Sequence, residues 1–191
     1  MRIININRET KETEIKLELN MDGKGICNID TTISFLDHII TSMVKHAKLD
    51  LTLYAKSKDG IKHHLIEDVA IVLGLAIDQA LGDRKGIARF GYSLLPMDGS
   101  LAKAAVDLVR RSYYILTINI EREEIEGIAR EDILHFFESL LKNLNACVHL
   151  IIEYGENDHH KIEALIKAFA LALRQAIKIE NDEIPSTKGV M

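Results

Sequence analysis

One short pattern occurs twice in this chain: His63-His64-Leu65-Ile66-Glu67 returns about half a chain later as His159-His160-Lys161-Ile162-Glu163. The segments around the two copies repeat as well, and a duplication constrains the fold more than any other feature of the sequence. After the first copy runs Asp68-Val69-Ala70-Ile71-Val72-Leu73-Gly74-Leu75-Ala76-Ile77; after the second runs Ala164-Leu165-Ile166-Lys167-Ala168-Phe169-Ala170-Leu171-Ala172-Leu173. Both stretches are helix-length and apolar around most of their circumference, which predicts buried helices. Gly82 is the expected stop of the first.

What precedes each copy also repeats. Phe35 to Val44 and Leu134 to Leu141 read as helices, and Leu49 to Tyr54 and Cys147 to Tyr154 as strands. His38 and His135 occupy equivalent helical positions once a single one-residue gap is allowed. Alternating stretches open each half at Thr13–Leu19 and Ile26–Asp30, then at Leu101–Leu108 and Tyr113–Ile120; a period of two reads as strand. Each half is therefore expected to be strand, strand, helix, strand, His-His helix. That is an α+β unit with helices covering one face of a small sheet. The expected organisation is one compact domain over residues 1–191, its repeats spanning about 1–92 and 93–191.

Imidazole and carboxylate are the ligands that borderline and hard divalent metals choose. On a helix, His63 with Glu67 is an i,i+4 pair and His64 with Glu67 an i,i+3 pair, so either pairing brings two ligands together. Adjacent histidines point roughly 100° apart and are poor ligands for one shared ion. The same holds for His159, His160 and Glu163. The simplest arrangement is two metals, each drawing ligands from both repeats. With His38 and His135 the set reaches six histidines and two glutamates. Two six-coordinate ions would keep about four positions open, as a catalytic site requires. The donor set permits Mn, Fe, Co, Ni or Zn. The alternative is that these histidines cap helices or satisfy polar core positions.

Composition narrows the partners. There are 24 basic and 29 acidic side chains, a net charge of −5, which gives no general attraction to nucleic acid or to an anionic membrane. Nothing approaches the roughly 18 uninterrupted apolar residues of a membrane-spanning helix. The N-terminus lacks the apolar run of a signal peptide, and the only two cysteines, Cys27 and Cys147, form no CxxC. These features predict a cytoplasmic protein without a disulfide framework.

Several further polar groups are candidates. A Gly-punctuated basic loop covers Gly82 to Gly91 and includes Arg89; Arg110-Arg111 follows a strand; Lys167 lies one turn beyond Glu163; Pro185-Ser186-Thr187-Lys188-Gly189 lies near the C-terminus. Arginine forks, hydroxyls and lysine together suit a phosphate, although a charged loop is more often plain solvated surface. Glu12, at the start of the first expected strand, is a candidate general base or a bland edge carboxylate. His46 would contact substrate or simply end its helix.

These motifs resemble the imidazoleglycerol-phosphate dehydratase family, the lyases of histidine biosynthesis. The likeness runs through Arg8 to Thr13, Phe35-Leu36-Asp37-His38, His46, both His-His-x-x-Glu units, Gly86-Ile87 with Arg89-Phe90-Gly91, Pro96-Met97-Asp98, His135-Phe136-Phe137 and Pro185 to Gly189. The resemblance implies a duplicated fold like the second domain of ribosomal protein S5. It implies two Mn ions per active site, with ligands at His38, His63, His64, Glu67, His135, His159, His160 and Glu163. Substrate contacts would fall on Glu12, His38, His46, Arg89, Arg111, Lys167, Ser186, Thr187 and Lys188, with Glu12, His38 and His46 nearest the chemistry. It further implies a homo-oligomer, trimers joined into a 24-subunit shell with active sites between subunits.

The chain departs from the family pattern in places. Thr32 and Ser34 stand where glycines are usual, Ile61 and Lys62 where acidic residues are usual, Gly99 where an acidic residue follows Pro-Met-Asp, and Val109-Arg110-Arg111 where Ser-Gly-Arg is usual. The expected reaction is dehydration of D-erythro-imidazoleglycerol phosphate to imidazole acetol phosphate. The alternatives are a dinuclear metallohydrolase, which would release phosphate, and a catalytically impaired or non-catalytic metal-binding homologue.

Overall fold

The computed structural model describes residues 2–189. Three strands open the chain: β1 (Ile3–Glu9), β2 (Thr13–Asn20) and β3 (Cys27–Asp30). Helix α1 (Ser34–Ala47), strand β4 (Asp50–Ser57) and helix α2 (Lys62–Leu81) complete the first half. The second half repeats the order with β5 (Phe90–Met97), β6 (Ser100–Asp107), β7 (Tyr113–Thr117), α3 (Arg130–Leu144), β10 (Cys147–Tyr154) and α4 (Asp158–Ala176). A two-stranded hairpin, β8 (Glu124–Ile125) and β9 (Ile128–Ala129), is inserted before α3 in this half.

The sheets are ordered β1-β2-β4-β3 and β5-β6-β10-β7, so the two halves share one topology. The expected repeat of an α+β unit is therefore present. Each unit has one more strand than the periodicity indicated. β1 and β5 are edge strands, each paired antiparallel to one neighbour. Glu12 accordingly lies in the turn between β1 and β2, not at the start of the first strand. The strand expected over Tyr113–Ile120 stops at Thr117.

Alternation sets the inner faces. Ile15, Leu17 and Leu19 of β2 pair with Ala55, Leu53 and Leu51 of β4, all buried. Ala104 and Val106 of β6 pair with Leu150 and Val148 of β10 in the same way. The helices cover these faces: α2 packs on β1, β2 and β4, and α4 on β5 and β6.

The halves are joined through their helices, α1 against α4 and α2 against α3. Gly74 permits the second approach, since a Cβ there would lie 2.5 Å from the Leu140 carbonyl oxygen. Gly91 does the same for β5 on α4, where a Cβ would fall 1.8 Å from the Ala172 carbonyl oxygen. The two cross-half helix pairs are the frame on which the polar residues below are mounted. Among the described residues no helix is long and apolar enough to cross a membrane.

Candidate metal centre

The first turn of α4 is fixed by Asn157, whose side chain accepts the His160 backbone N–H at 3.2 Å. This presents His159 and Glu163 on the face of α4 that meets α1. There His159 Nε2 lies 3.4 Å from Glu163 Oε2, and His38 Nε2 of α1 lies 3.7 Å from the same oxygen. The second helix pair repeats the arrangement. His63 and Glu67 of α2 meet His135 of α3, with Glu67 Oε1 3.2 Å from His135 Nε2 and the His63 and His135 rings stacked at 5.0 Å.

In each trio the ligating atoms lie within 4.8 Å of one another. Each trio takes residues from both halves, and the i,i+4 pairing, not the i,i+3 pairing, turns inward. Two nitrogens and a carboxylate, with no thiolate, suit a divalent ion of the Mn-to-Zn series. Burial pushes the Glu163 carboxyl up, but Lys167, whose Nζ lies 2.6 Å from Glu163 Oε1, outweighs burial together with the two histidines. The result is a carboxyl held below its ordinary range.

His64 and His160 point away from these trios. His64 Nδ1 sits 2.7 Å from Asp59 Oδ2 and 3.8 Å from Glu12 Oε2. Asp59 accepts the Ile61 backbone N–H at 2.9 Å, and this bond, then His64, then Ser57, lowers its carboxyl to about 2. The same contact raises the His64 imidazole. His160 Nε2 lies 3.5 Å from Asp98, in a cleft of about 660 Å³ that also involves Gly99 and Ser100. The glycine at 99 leaves open space where a longer side chain would stand.

The other candidates divide into two places. Arg89, Arg111, Ser186, Thr187 and Lys188 line one cleft of about 230 Å³. Arg89 is already engaged in it, donating to both Asp107 oxygens at 2.7 and 3.0 Å and to the Pro185 carbonyl at 2.8 Å. It braces the tail, while Arg111 and Lys188 form no ion pair among the described residues. Lys167 is not in this cleft; it stands at the His38 trio. His46, exposed at the end of α1, has its imidazole lowered by partial burial and then by Lys167 and Lys48.

The cleft lies far from the His38–His159–Glu163 trio of its own chain. Arg89 donates its backbone N–H to the Ala176 carbonyl, at the far end of α4. At about 1.5 Å per residue, Glu163 to Ala176 spans about 20 Å.

The family model for imidazoleglycerol-phosphate dehydratase matches residues 31–173, which hold all eight ligand candidates. The chain belongs to the imidazoleglycerol-phosphate dehydratase family. It is thereby assigned to a family of hydro-lyases. The dehydratase of Methanococcoides burtonii is 50% identical over 192 residues, covering 100% of both chains. That of Methanosarcina mazei is 47% identical with the same coverage. Among solved structures, the dehydratase of Staphylococcus aureus superposes with a TM-score of 0.84 at 29% identity, over 93% of this chain and 99% of that one. The Pyrococcus furiosus dehydratase gives 0.82 at 35% identity, over 97% and 100%.

Sequence reasoning missed the carboxylates behind the ligands. Asp132 Oδ1 lies 2.6 Å from His63 Nδ1, and Asp59 holds His64 in the same manner. Asp132 was detectable as the residue one turn before His135 on its helix. Asp59 carried no periodic signal at all. Thr32, at a usual glycine position, adopts a left-handed φ of 64°.

Proposed function

We propose that this chain dehydrates D-erythro-imidazoleglycerol phosphate to imidazole acetol phosphate, with two divalent ions, expected to be Mn, bound per active site. The observation that carries the reading is the pairing of each His-His-x-x-Glu unit with a histidine of the other half, giving two trios of like chemistry. Three protein ligands leave room for a fourth and for substrate. His64 and His160 are suited to complete the trios of neighbouring copies, since each faces outward from its own.

His38, His159 and Glu163, and His63, Glu67 and His135, would hold the ions, which would supply Lewis acidity to stabilise the electron density that proton loss puts into the substrate's imidazole ring. The chain's own residues do the rest. Glu12, in an exposed turn beside His64, removes the side-chain proton as general base in this reading. Arg111, Ser186, Thr187 and Lys188 bind the phosphate, and Arg89 holds that cleft in shape. Binding the phosphate remotely orients the reacting carbon. His38 and His46 border the reacting end, and Lys167 sets the charge of Glu163.

A substrate of this kind measures about 8 Å from ring to phosphate at ordinary bond lengths. It cannot bridge the ~20 Å between a trio and the phosphate cleft of the same chain. The reading therefore requires a homo-oligomer, expected to be 24 subunits built from trimers, with trio and cleft supplied by different copies. The outer face of the second sheet fits such an assembly, with Phe90, Tyr92 and Leu94 all exposed on β5. The unpaired cysteines, Cys27 and Cys147, fit a reducing cytoplasm.

The test is one assay of the purified protein with imidazoleglycerol phosphate and Mn. Formation of the acetol phosphate product with phosphate retained supports the lyase. Release of inorganic phosphate would point to a metallohydrolase, and bound metal without turnover to a non-catalytic homologue.

A further inference from the structure

The two trios are alike in ligands but not in surroundings. Behind the His63–Glu67–His135 trio stands Asp132, a nearly buried carboxylate 2.6 Å from His63 Nδ1. That bond fixes the tautomer, turns Nε2 toward the trio and makes the imidazole more electron-rich. Glu67 pairs only with His135 among the described residues, so its second oxygen remains available to an ion.

The His38–His159–Glu163 trio has neither a close, buried carboxylate behind a histidine nor a glutamate with a free oxygen. Phe35, one turn before His38 as Asp132 is one turn before His135, packs its ring 5.1 Å from His159. Among the described residues, the carboxylate outside the trio that faces His159 is the half-exposed Glu126, at a longer 3.5 Å from Nδ1. Glu163 gives one oxygen to Lys167 at 2.6 Å, which neutralises the ligand and occupies half of it.

We infer that the duplicated sites are electrostatically unequal. The His63–Glu67–His135 site, backed by Asp132, fills first and retains its ion. The His38–His159–Glu163 site, restrained by Lys167, fills second and exchanges. Asp132 is a positioning residue for the first ion, and Lys167 a charge that loosens the second. The inference rests on the metal-dependent reading above. It adds to that reading that two halves with the same ligand set do not hold equivalent ions.

The experiment is a titration of the metal-free assembly with Mn(II), following unbound ion by electron paramagnetic resonance and bound ion by elemental analysis. Two classes are expected, one ion each per chain, separated by about tenfold or more in affinity. Asp132→Asn is expected to weaken the tight class about 10- to 100-fold and leave the weak class in place. Lys167→Gln is expected to tighten the weak class by at least about threefold, because a cation no longer competes for Glu163. A gain of affinity cannot arise from a damaged fold, so the lysine variant decides the matter if the aspartate variant folds poorly. Two ions of equal affinity, or a weak class indifferent to Lys167→Gln, overturn the inference while leaving the dehydratase reading intact. Failure to bind any Mn overturns the metal-dependent reading itself.

Discussion

His38 Nε2 and Glu163 Oε2 lie 3.7 Å apart although they belong to opposite halves of the chain, on helices that pack only because the halves do. With one ion on each helix pair, removing one carboxylate should empty one site. Glu163→Gln and Glu67→Gln are each expected to lower the metal content from two ions per chain to one. Turnover should fall by at least about 100-fold in both. Elemental analysis alongside the dehydration assay reads both quantities. Loss of both ions from either variant would contradict independent trios.

Glu12 belongs to neither trio and clusters with Asp59 and His64, so its role as base is tested separately from ion binding at the trios. Glu12→Gln should keep two ions per chain and lose about 10²- to 10⁴-fold in kcat, the usual range for a positioned base. An active Glu12→Gln enzyme with full metal content would remove Glu12 from the mechanism.

The distance between trio and phosphate cleft predicts complementation. A Glu163→Gln variant and an Arg111→Ala/Lys188→Ala variant should each be nearly inactive alone. Dissociated, mixed and reassembled, they should regain measurable activity, because some sites then combine an intact trio from one copy with an intact cleft from another. No recovery in mixed assemblies of normal size would place both parts of the site in one chain.

Asp158 gives a pH dependence of stability away from the trio atoms. Burial pushes its carboxyl up, but the Arg122 backbone N–H, Lys161 and the Glu121 backbone N–H together outweigh burial and hold it below the ordinary value. A depressed folded value stabilises above the unfolded value of about 3.9 and loses that contribution as pH falls through the depressed one. The melting temperature should therefore drop between about pH 4 and the folded value. Asp158→Ala should flatten this part of the profile and cost about 3 kcal/mol at neutral pH by leaving buried Lys161 without its counter-ion, held only by the Asn119 carbonyl.

Thr32 holds a left-handed φ of 64°, a conformation that is strained for a β-branched residue. Thr32→Gly should stabilise the protein by about 0.5–1 kcal/mol, the strain relieved less the extra freedom of glycine in the unfolded chain. Thermal unfolding measures it. A lower melting temperature would mean that the Thr32 side chain contributes a contact worth more than the strain.

The sequence went far where signals are local. The strong alternation of β2, β4, β6 and β10 and the all-round apolarity of α2 and α4 were legible, since neighbours in sequence share the same burial. The edge strands were not. β1 alternates only over Ile4-Asn5-Ile6-Asn7 and is just half-buried on its inner face, and β5 places the apolar Phe90, Tyr92 and Leu94 outward, so the polar–apolar contrast is short in one and blurred in the other.

By itself, the sequence carried the duplication, a candidate donor set of six histidines and two glutamates, and the expectation that each site draws on both halves. These follow from residue type, spacing on a helix and repetition. Of its phosphate candidates, Lys167 stands at Glu163 and not in the Arg89 cleft. Tertiary structure alone decided that the i,i+4 pair faces inward, that Asp132 and Asp59 stand behind histidines, that Lys167 joins Glu163, and that trio and cleft lie at opposite ends of α4. Each of those depends on how α1 meets α4 and α2 meets α3. Such long-range packing is set by the summed fit of two cores, and no short stretch of sequence encodes it.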